Sequence, residues 1–223
     1  MILVDDETYY ETLEVLRGNK QLPIIFSELK NWLLDEYQVE AHNFEFKKTK
    51  FNKIGKGYRL LILLSSWNDF LLMWSDHGYD TEKQTAIADK LYYLAQKYDM
   101  ENVNKYGDVF VAFVDFSHEM KTDYINQMYK LVGKQMAEKF AIYSVWDIHL
   151  KTTSVVVFYC REVNVKTNQF IGISKQIKDE FYETLHHLDE FNVFNYESFT
   201  VVFDNKENLD TNYEGNMFYY DRS

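Results

Sequence analysis

Apolar residues recur along this chain at two spacings, every third or fourth position in some stretches and without interruption in others. The first spacing predicts helices with one apolar face, and the second predicts buried strands. Ser, Thr and Asp residues at the front of the periodic stretches can cap helices there. The predicted helices begin at Asp5 or Asp6, Ser27, Thr81, Thr122 and Ser174, and the first of them ends at Arg17, before Gly18.

Uninterrupted apolar runs predict the strands. Turn-forming residues separate the runs 58–66 and 70–74, so we expect these two to pair as a buried hairpin. Further strands are predicted at 109–114, 143–150, 155–163 and 199–203, with a short last strand at 217–220. The order helix, strand, strand, helix, strand therefore occurs twice along the chain.

A local resemblance between two segments supports this repeated order. The segment VFVAFVDFSHEMKTDY, from Val109, aligns without a gap to SFTVVFDNKENLDTNY, from Ser198. The identical positions are Phe110, Asp115, Thr122 and Tyr124 in the first segment and Phe199, Asp204, Thr211 and Tyr213 in the second. Together with the order of elements, this alignment predicts an internal duplication.

The expected fold class is α+β, with two tandem α-β-β-α-β units whose antiparallel sheets carry helices packed on one face. When the strand at 109–114 is counted with the elements of the second half, that half has the order β-α-β-β-α-β, which is ferredoxin-like. We expect an N-terminal helix at residues 1–22, a first repeat at 23–116 and a second repeat at 117–223. The two repeats are expected to pack as one compact pseudo-dimeric body.

Composition excludes several classes of function. The net charge of −11 and the isoelectric point near 5.0 argue against nucleic-acid binding through phosphate neutralisation and against anionic membrane surfaces. Apolar runs such as residues 60–64 are far shorter than the roughly 20 residues of a bilayer span. The single cysteine, Cys160, suits a reducing, cytoplasmic location, and its apolar surroundings in sequence predict a small buried side chain.

Metal-ligand patterns are weak in this sequence. Glu183 with His187, and His186 with Glu190, stand four positions apart, as two ligands on one helix face do. No second pair accompanies them, and histidines near the end of a helix are favoured by its dipole. We therefore favour a solvated helix end and predict no metal site.

Catalytic and cofactor motifs are also missing from the sequence. The stretch that begins at Asp204 has Leu209 and Gly215 where a calcium loop needs glycine and glutamate. Asp115 and Asp204 end equivalent predicted strands, where capping of the following turn is favoured over a role as acid or base in a cleft. We predict no catalytic residue and no cofactor.

Charge is distributed unevenly along the chain. Residues 47–59 carry six basic side chains and no acid, which indicates either an anion or partner contact or, as we favour, an edge strand guarded by lysines. Residues 179–214 carry ten acids against Lys206 alone, a net charge of −9, and are rich in aromatic residues. Such a segment is either a surface that recognises a basic protein or an ordinary solvated helix face with loops. The predicted protein-binding residues are Glu183, Asp189, Glu190, Tyr196, Glu197, Asp204, Glu207, Asp210 and Tyr213.

These observations favour a non-enzymatic interaction or regulatory protein, for instance an immunity-type inhibitor that binds a basic partner protein. The alternative is a small-ligand-binding protein or an enzyme with a pocket between the two repeats. A structural subunit of a larger assembly has no distinguishing feature in sequence.

Overall fold

A computed structural model describes residues 4–49 and 57–222. The protein is a mixed α+β protein, as predicted, and it divides into two compact units, Met1–Glu119 and Met120–Ser223. Each unit contains a three-stranded sheet, and a two-stranded hairpin accompanies the first. No helix in the described part of the chain is both long enough and apolar enough to cross a membrane.

Unit 1 is built around the strand that is buried most completely. Its elements are α1 (Asp6–Leu16), α2 (Ile24–Tyr37), β1 (Ala41–Lys48), β2 (Tyr58–Leu64), α3 (Trp67–Leu72), β3 (Trp74–Ser75), β4 (Gly78–Tyr79), α4 (Thr81–Lys97), a 3-10 helix (Val103–Tyr106) and β5 (Val109–Asp115). In the three-stranded sheet, β2 lies between β1, to which it is antiparallel, and β5, to which it is parallel. The side chains of β2 from Leu60 to Leu64 are all inaccessible to solvent. The alternate residues Leu60, Ile62 and Leu64 share one core cluster with residues of α2 and α4.

Unit 2 has the same strand order and directions. The long helix α5 (Phe116–Phe140) leads into a 3-10 helix (Ala141–Tyr143), β6 (Val145–Lys151), β7 (Ser154–Tyr159), α6 (Glu162–Phe170), α7 (Ile173–Leu188), β8 (Thr200–Asn205), α8 (Lys206–Tyr213) and α9 (Met217–Tyr220). The central strand β7 is antiparallel to β6 and parallel to β8. The parallel pairing follows from the two helices that connect β7 to β8, because such a crossover returns the chain in the same direction.

The ferredoxin-like arrangement is not confirmed. It needed β5 in the sheet of the second half, but β5 pairs with β2 in unit 1. The sheets are also mixed, so the prediction of antiparallel sheets holds only for the first strand pair of each unit.

Two predicted strands are wrong. Residues 70–74 were expected to be the second strand of a hairpin, but most of this segment belongs to α3, and the antiparallel partner of β2 is β1. The Ser66 hydroxyl accepts the Asp69 N–H at 3.2 Å, so the residues that resemble a turn are a helix cap. Residues 217–220 form α9, whose cap is Asn216, rather than a last strand.

Helix starts were predicted less accurately than helix existence. Asp5 caps α1 as expected, with its carboxylate accepting the Thr8 N–H at 2.9 Å. The other predicted caps are wrong, although α4 does begin at Thr81. Asp80 caps α4, Asp115 accepts the first N–H groups of α5, and Pro23 and Gly172 precede α2 and α7 without a side-chain cap. Cys160 is exposed rather than buried, because β7 ends one residue before it.

Candidate functional site

A groove opens in unit 1 where the parallel strands β2 and β5 end side by side. Leu64 pairs with Asp115 at this edge of the sheet. The carboxyl ends of parallel strands are a common place for ligands, because the following loops and helices surround them there. The groove has a volume of about 820 Å³ and is lined by Trp67, Phe70, Leu71, Trp74, Tyr79, Phe113, Val114, Asp115, His118 and Glu119.

One wall of the groove is α3, which a small polar cluster holds in place. The hydroxyls of Ser65 and Ser66 donate to Asp69 at 2.7 and 2.5 Å, and the same carboxylate accepts the Glu40 N–H at 3.3 Å. Asp69 is only 9% exposed, so these bonds satisfy a charge that lies mostly out of water. The cluster therefore sets the position of the helix that carries Trp67.

The second wall is the β3–β4 hairpin, in which Trp74 pairs with Tyr79. The Tyr79 hydroxyl donates to the Phe113 carbonyl at 3.1 Å, which ties the hairpin to the outer edge of β5. Gly78 has a φ of +132°, a backbone conformation that residues other than glycine rarely adopt. The buried Met73 anchors the start of the hairpin in the core.

The aromatic rings of the two walls form a corner. Trp67 and Phe70 stack with centroids 5.1 Å apart and an angle of 17° between their planes, and Trp74 continues this series 5.3 Å from Phe70. Tyr79 is nearly perpendicular to Trp74, at 83°. Trp67 and Trp74 are 55% and 44% exposed, so ring surface remains accessible in the groove.

The polar lining residues lie at the end of β5 and in the first turn of α5. Asp115, which was predicted to cap only a turn, caps α5: its Oδ1 accepts the Ser117 N–H at 3.0 Å and the Ser117 hydroxyl at 2.7 Å. Burial raises the pKa of the Glu119 carboxyl, the nearby charge of Asp115 raises it further, and His118 opposes the shift. Among the described lining residues there is no Lys or Arg, and His118 is the one basic side chain beside the two carboxyls.

The predicted protein-binding residues of unit 2 do not line this groove. Glu183 lies on α7 and Glu190 in the loop after it, and both are exposed. Asp189 is buried at 6% exposure, and its carboxylate accepts the N–H groups of Val193 and Phe194 at 3.0 and 2.8 Å. These contacts assign Asp189 to the loop itself rather than to a surface.

The remaining predicted residues surround β8. Tyr196 donates its hydroxyl to Asp179 at 2.6 Å, and Glu197 is exposed just before the strand. Asn205, rather than Asp204, caps α8. Asp204 accepts the Tyr220 hydroxyl at 2.8 Å. Two further acids and one tyrosine complete this region: Glu207 accepts the Glu162 N–H at 3.0 Å, Asp210 pairs with Lys206, and Tyr213 packs against Tyr220.

The basic segment and the histidines show local roles. The basic segment 47–59 begins at the end of β1, which is an edge strand. Lys47 pairs with Asp5 at 2.7 Å and with Glu45 at 2.6 Å. Residues 50–56 of this segment lie outside the described residues. His187 Nδ1 contacts the Glu183 carbonyl at 2.6 Å. Over residues 4–49 and 57–222, no three His, Cys, Asp or Glu side chains converge as metal ligands would.

Sequence reasoning missed every aromatic wall residue of the groove. Two of the four tryptophans, Trp67 and Trp74, stand only seven positions apart, which was an available signal. The interpretation of residues 70–74 as a buried strand hides this close spacing of Trp67 and Trp74. No protein-family model, no curated protein and no solved structure matches this chain.

Proposed function

We propose that this protein is a non-enzymatic binding protein whose unit 1 groove holds a positively charged side chain of a basic partner protein. The observation that carries the proposal is the aromatic corner of Trp67, Trp74 and Tyr79 beside the carboxyls of Asp115 and Glu119. An immunity-type inhibitor of a basic protein is one function of this class.

The aromatic rings supply the first part of the recognition. A cation over the face of an aromatic ring is attracted by about 0.5–2 kcal/mol, more where water is excluded. A guanidinium is flat and weakly hydrated, so arginine stacks on rings better than lysine does. Exposed surface on Trp67 and Trp74, with Tyr79 at a right angle to Trp74, lets one cation contact rings from two directions.

The carboxyls supply the second part. Glu119 is held in partly apolar surroundings that disfavour its charge, as the direction of its pKa shift shows. A bound guanidinium would compensate that charge, so the unfavourable burial is relieved only when a cation is present. The lining contains no Lys or Arg among the described residues, and its His118 opposes the pKa shift without cancelling it, so a guanidinium of the partner would add the missing compensating charge.

The test is a titration of the full chain with a short glycine-flanked arginine peptide, followed by tryptophan fluorescence and calorimetry. Its control is the same peptide with citrulline, which keeps the shape of arginine and removes the charge. We expect the citrulline peptide to bind at least about tenfold more weakly, a difference of about 1.4 kcal/mol.

A chain with a net charge of −11 attracts any basic peptide weakly, so the site needs its own control. Trp67→Ala should remove the arginine preference, whereas Tyr93→Ala, which truncates an equally exposed aromatic residue on α4, should keep it. Equal binding of the two peptides, or equal loss in both variants, would refute the proposal. Equal binding would also favour a neutral ligand, such as a sugar, in the groove.

A further inference from the structure

Strand β8 in unit 2 has an uncovered edge. It pairs with β7 on one side only, and every second residue of an edge strand points its N–H and C=O groups away from the sheet. In the part of the chain that the structure describes, no side chain bonds to the backbone of residues 200–203. Helix α6 packs near β8, yet Thr200 and Val202 remain exposed.

The equivalent edge in unit 1 identifies which groups are open. There the Phe113 carbonyl accepts from Tyr79, and the Val111 carbonyl accepts from the Gln84 side-chain amide. The last parallel pair is Leu64 with Asp115 in unit 1 and Tyr159 with Asn205 in unit 2. Counting back from these pairs, Val201 and Phe203 of β8 take the places of Val111 and Phe113, so their outward groups lack the partners that β5 has.

The other edge strands carry features that oppose pairing with another chain. Strand β1 ends in Lys47 and Lys48, and it has an irregular register near Ala41. Strand β6 has a register shift after Val145, and its Ile148 carbonyl accepts the Tyr129 hydroxyl at 2.8 Å. By contrast, residues 200–203 read Thr-Val-Val-Phe, a strand-forming sequence with no lysine, proline or register shift.

The acidic side chains around β8 favour a positively charged partner at this edge. Glu197 lies just before β8 and Glu207 just after it, both exposed, and the one base between them in sequence, Lys206, is paired with Asp210. A second copy of the chain would bring two segments of charge −9 together, which opposes self-pairing. We propose that the free edge of β8 binds an extended, basic segment of a partner protein by strand addition, with Glu197 and Glu207 attracting its cations.

The probe is a synthetic eight-residue peptide of alternating valine, threonine and lysine, titrated into the isotope-labelled full chain and followed by amide NMR. We expect the largest shift changes at Val201 and Phe203, together with new protection of their amides from exchange. Two control peptides separate the contributions: glutamate in place of lysine removes the charge complementarity, and N-methylation of alternate amides blocks the backbone ladder. Each control should weaken binding at least about fivefold, or roughly 1 kcal/mol.

Two variants with the same charge change locate the site. Thr200→Lys places a guarding lysine on the exposed edge, and Thr211→Lys places it on an exposed position of α8. The first should weaken peptide binding at least about fivefold and the second less than about twofold, with both melting temperatures checked against the natural chain. The inference is overturned if both variants bind alike, if the N-methylated peptide binds unchanged, or if light scattering shows that β8 pairs with a second copy instead. Trp67 belongs to unit 1 and the two variants here change unit 2, so failure of this inference and failure of the groove proposal are distinguishable.

Discussion

Units 1 and 2 have the same strand order and directions, yet they finish their sheets differently. Unit 1 has residues 73–80 between α3 and α4, and these form the β3–β4 hairpin. Unit 2 has only residues 171–172 between α6 and α7. The hairpin supplies Tyr79, which both covers the edge of β5 and builds a wall of the groove. One short insertion therefore accounts for the groove and for the contact at Phe113 on the edge of unit 1, while Gln84 of α4 covers Val111 on the same edge.

The starts of the helices that follow the central strands differ in a related way. In unit 1, α3 is capped from within by Ser66, and the acids of β5 and α5 are left to line the groove. In unit 2, Arg161 precedes α6 without a capping side chain, and Glu207 of α8 accepts the first N–H instead. An acid at the end of the sheet thus caps a helix in both units, and only in unit 1 does such an acid, Asp115, also line a described groove.

The largest expected effect comes from removing the residue that links the hairpin to β5. Tyr79→Ala deletes a half-buried ring that contacts Trp74 and Phe113, so we expect a loss of about 2–3 kcal/mol in the free energy of unfolding, measured by urea denaturation. Tyr79→Phe removes only the hydroxyl bond and should cost about 1 kcal/mol.

Hydrogen exchange gives the local readout of the same change. Tyr79→Ala should make the amides of β5 near Phe113 exchange more nearly as fast as those of β8, because only the Gln84 contact at Val111 then covers this edge. The matched truncation Tyr93→Ala should stay within about 0.5 kcal/mol of the natural chain. If Tyr79→Ala costs no more than Tyr93→Ala, the hairpin is not what closes this edge.

The next largest effect on the free energy of unfolding should come from removing the residues that cap α3 and α6. Ser66→Ala removes the cap of α3 and one donor to Asp69, so we expect a loss of about 1 kcal/mol or more. Glu207→Ala removes a more exposed cap from α6 and should cost about 0.5–1 kcal/mol. Amide exchange should rise in the first turn of α3 for one variant and of α6 for the other, and a change in the opposite helix would contradict this assignment.

The smallest effect is the pH dependence that Glu119 adds to unit 1. Burial holds the pKa of its carboxyl above the ordinary value of 4.5 in the folded state. Its contribution to stability is therefore fully present below that value and is lost as the pH rises through the raised pKa. Glu119→Gln should flatten the urea-unfolding profile between acidic and neutral pH, while binding of the arginine peptide should weaken as the pH falls through the same pKa. If the urea-unfolding profile of Glu119→Gln matches that of the natural chain, Glu119 does not contribute to the pH dependence of stability.

Local patterns predicted much of the fold, and the errors have specific physical causes. The apolar run at 58–66 identified β2, which is apolar over most of its length, and the run at 199–203 identified β8, whose apolar residues are Val201 to Phe203. Strand β1 was missed because Asn43, Glu45 and Lys47 interrupt its apolar residues, and Glu45 is buried only with the help of Lys47 and Arg59. The groove could not be predicted, because its walls depend on where α3 and the hairpin stand relative to β5.

By itself, the sequence determined that this is an acidic α+β protein, where many of its helices and strands lie, and that the acids concentrate at 179–214. Periodicity and capping act over a few residues, so they can be interpreted without knowing the partner of a segment. Only the tertiary structure decided that β2 pairs with β1 and β5, that Tyr79 closes one edge, and that β8 keeps the other open. Strand pairing and edge covering join residues far apart in the chain, and the pattern within a segment carries no information about which distant segment it will meet.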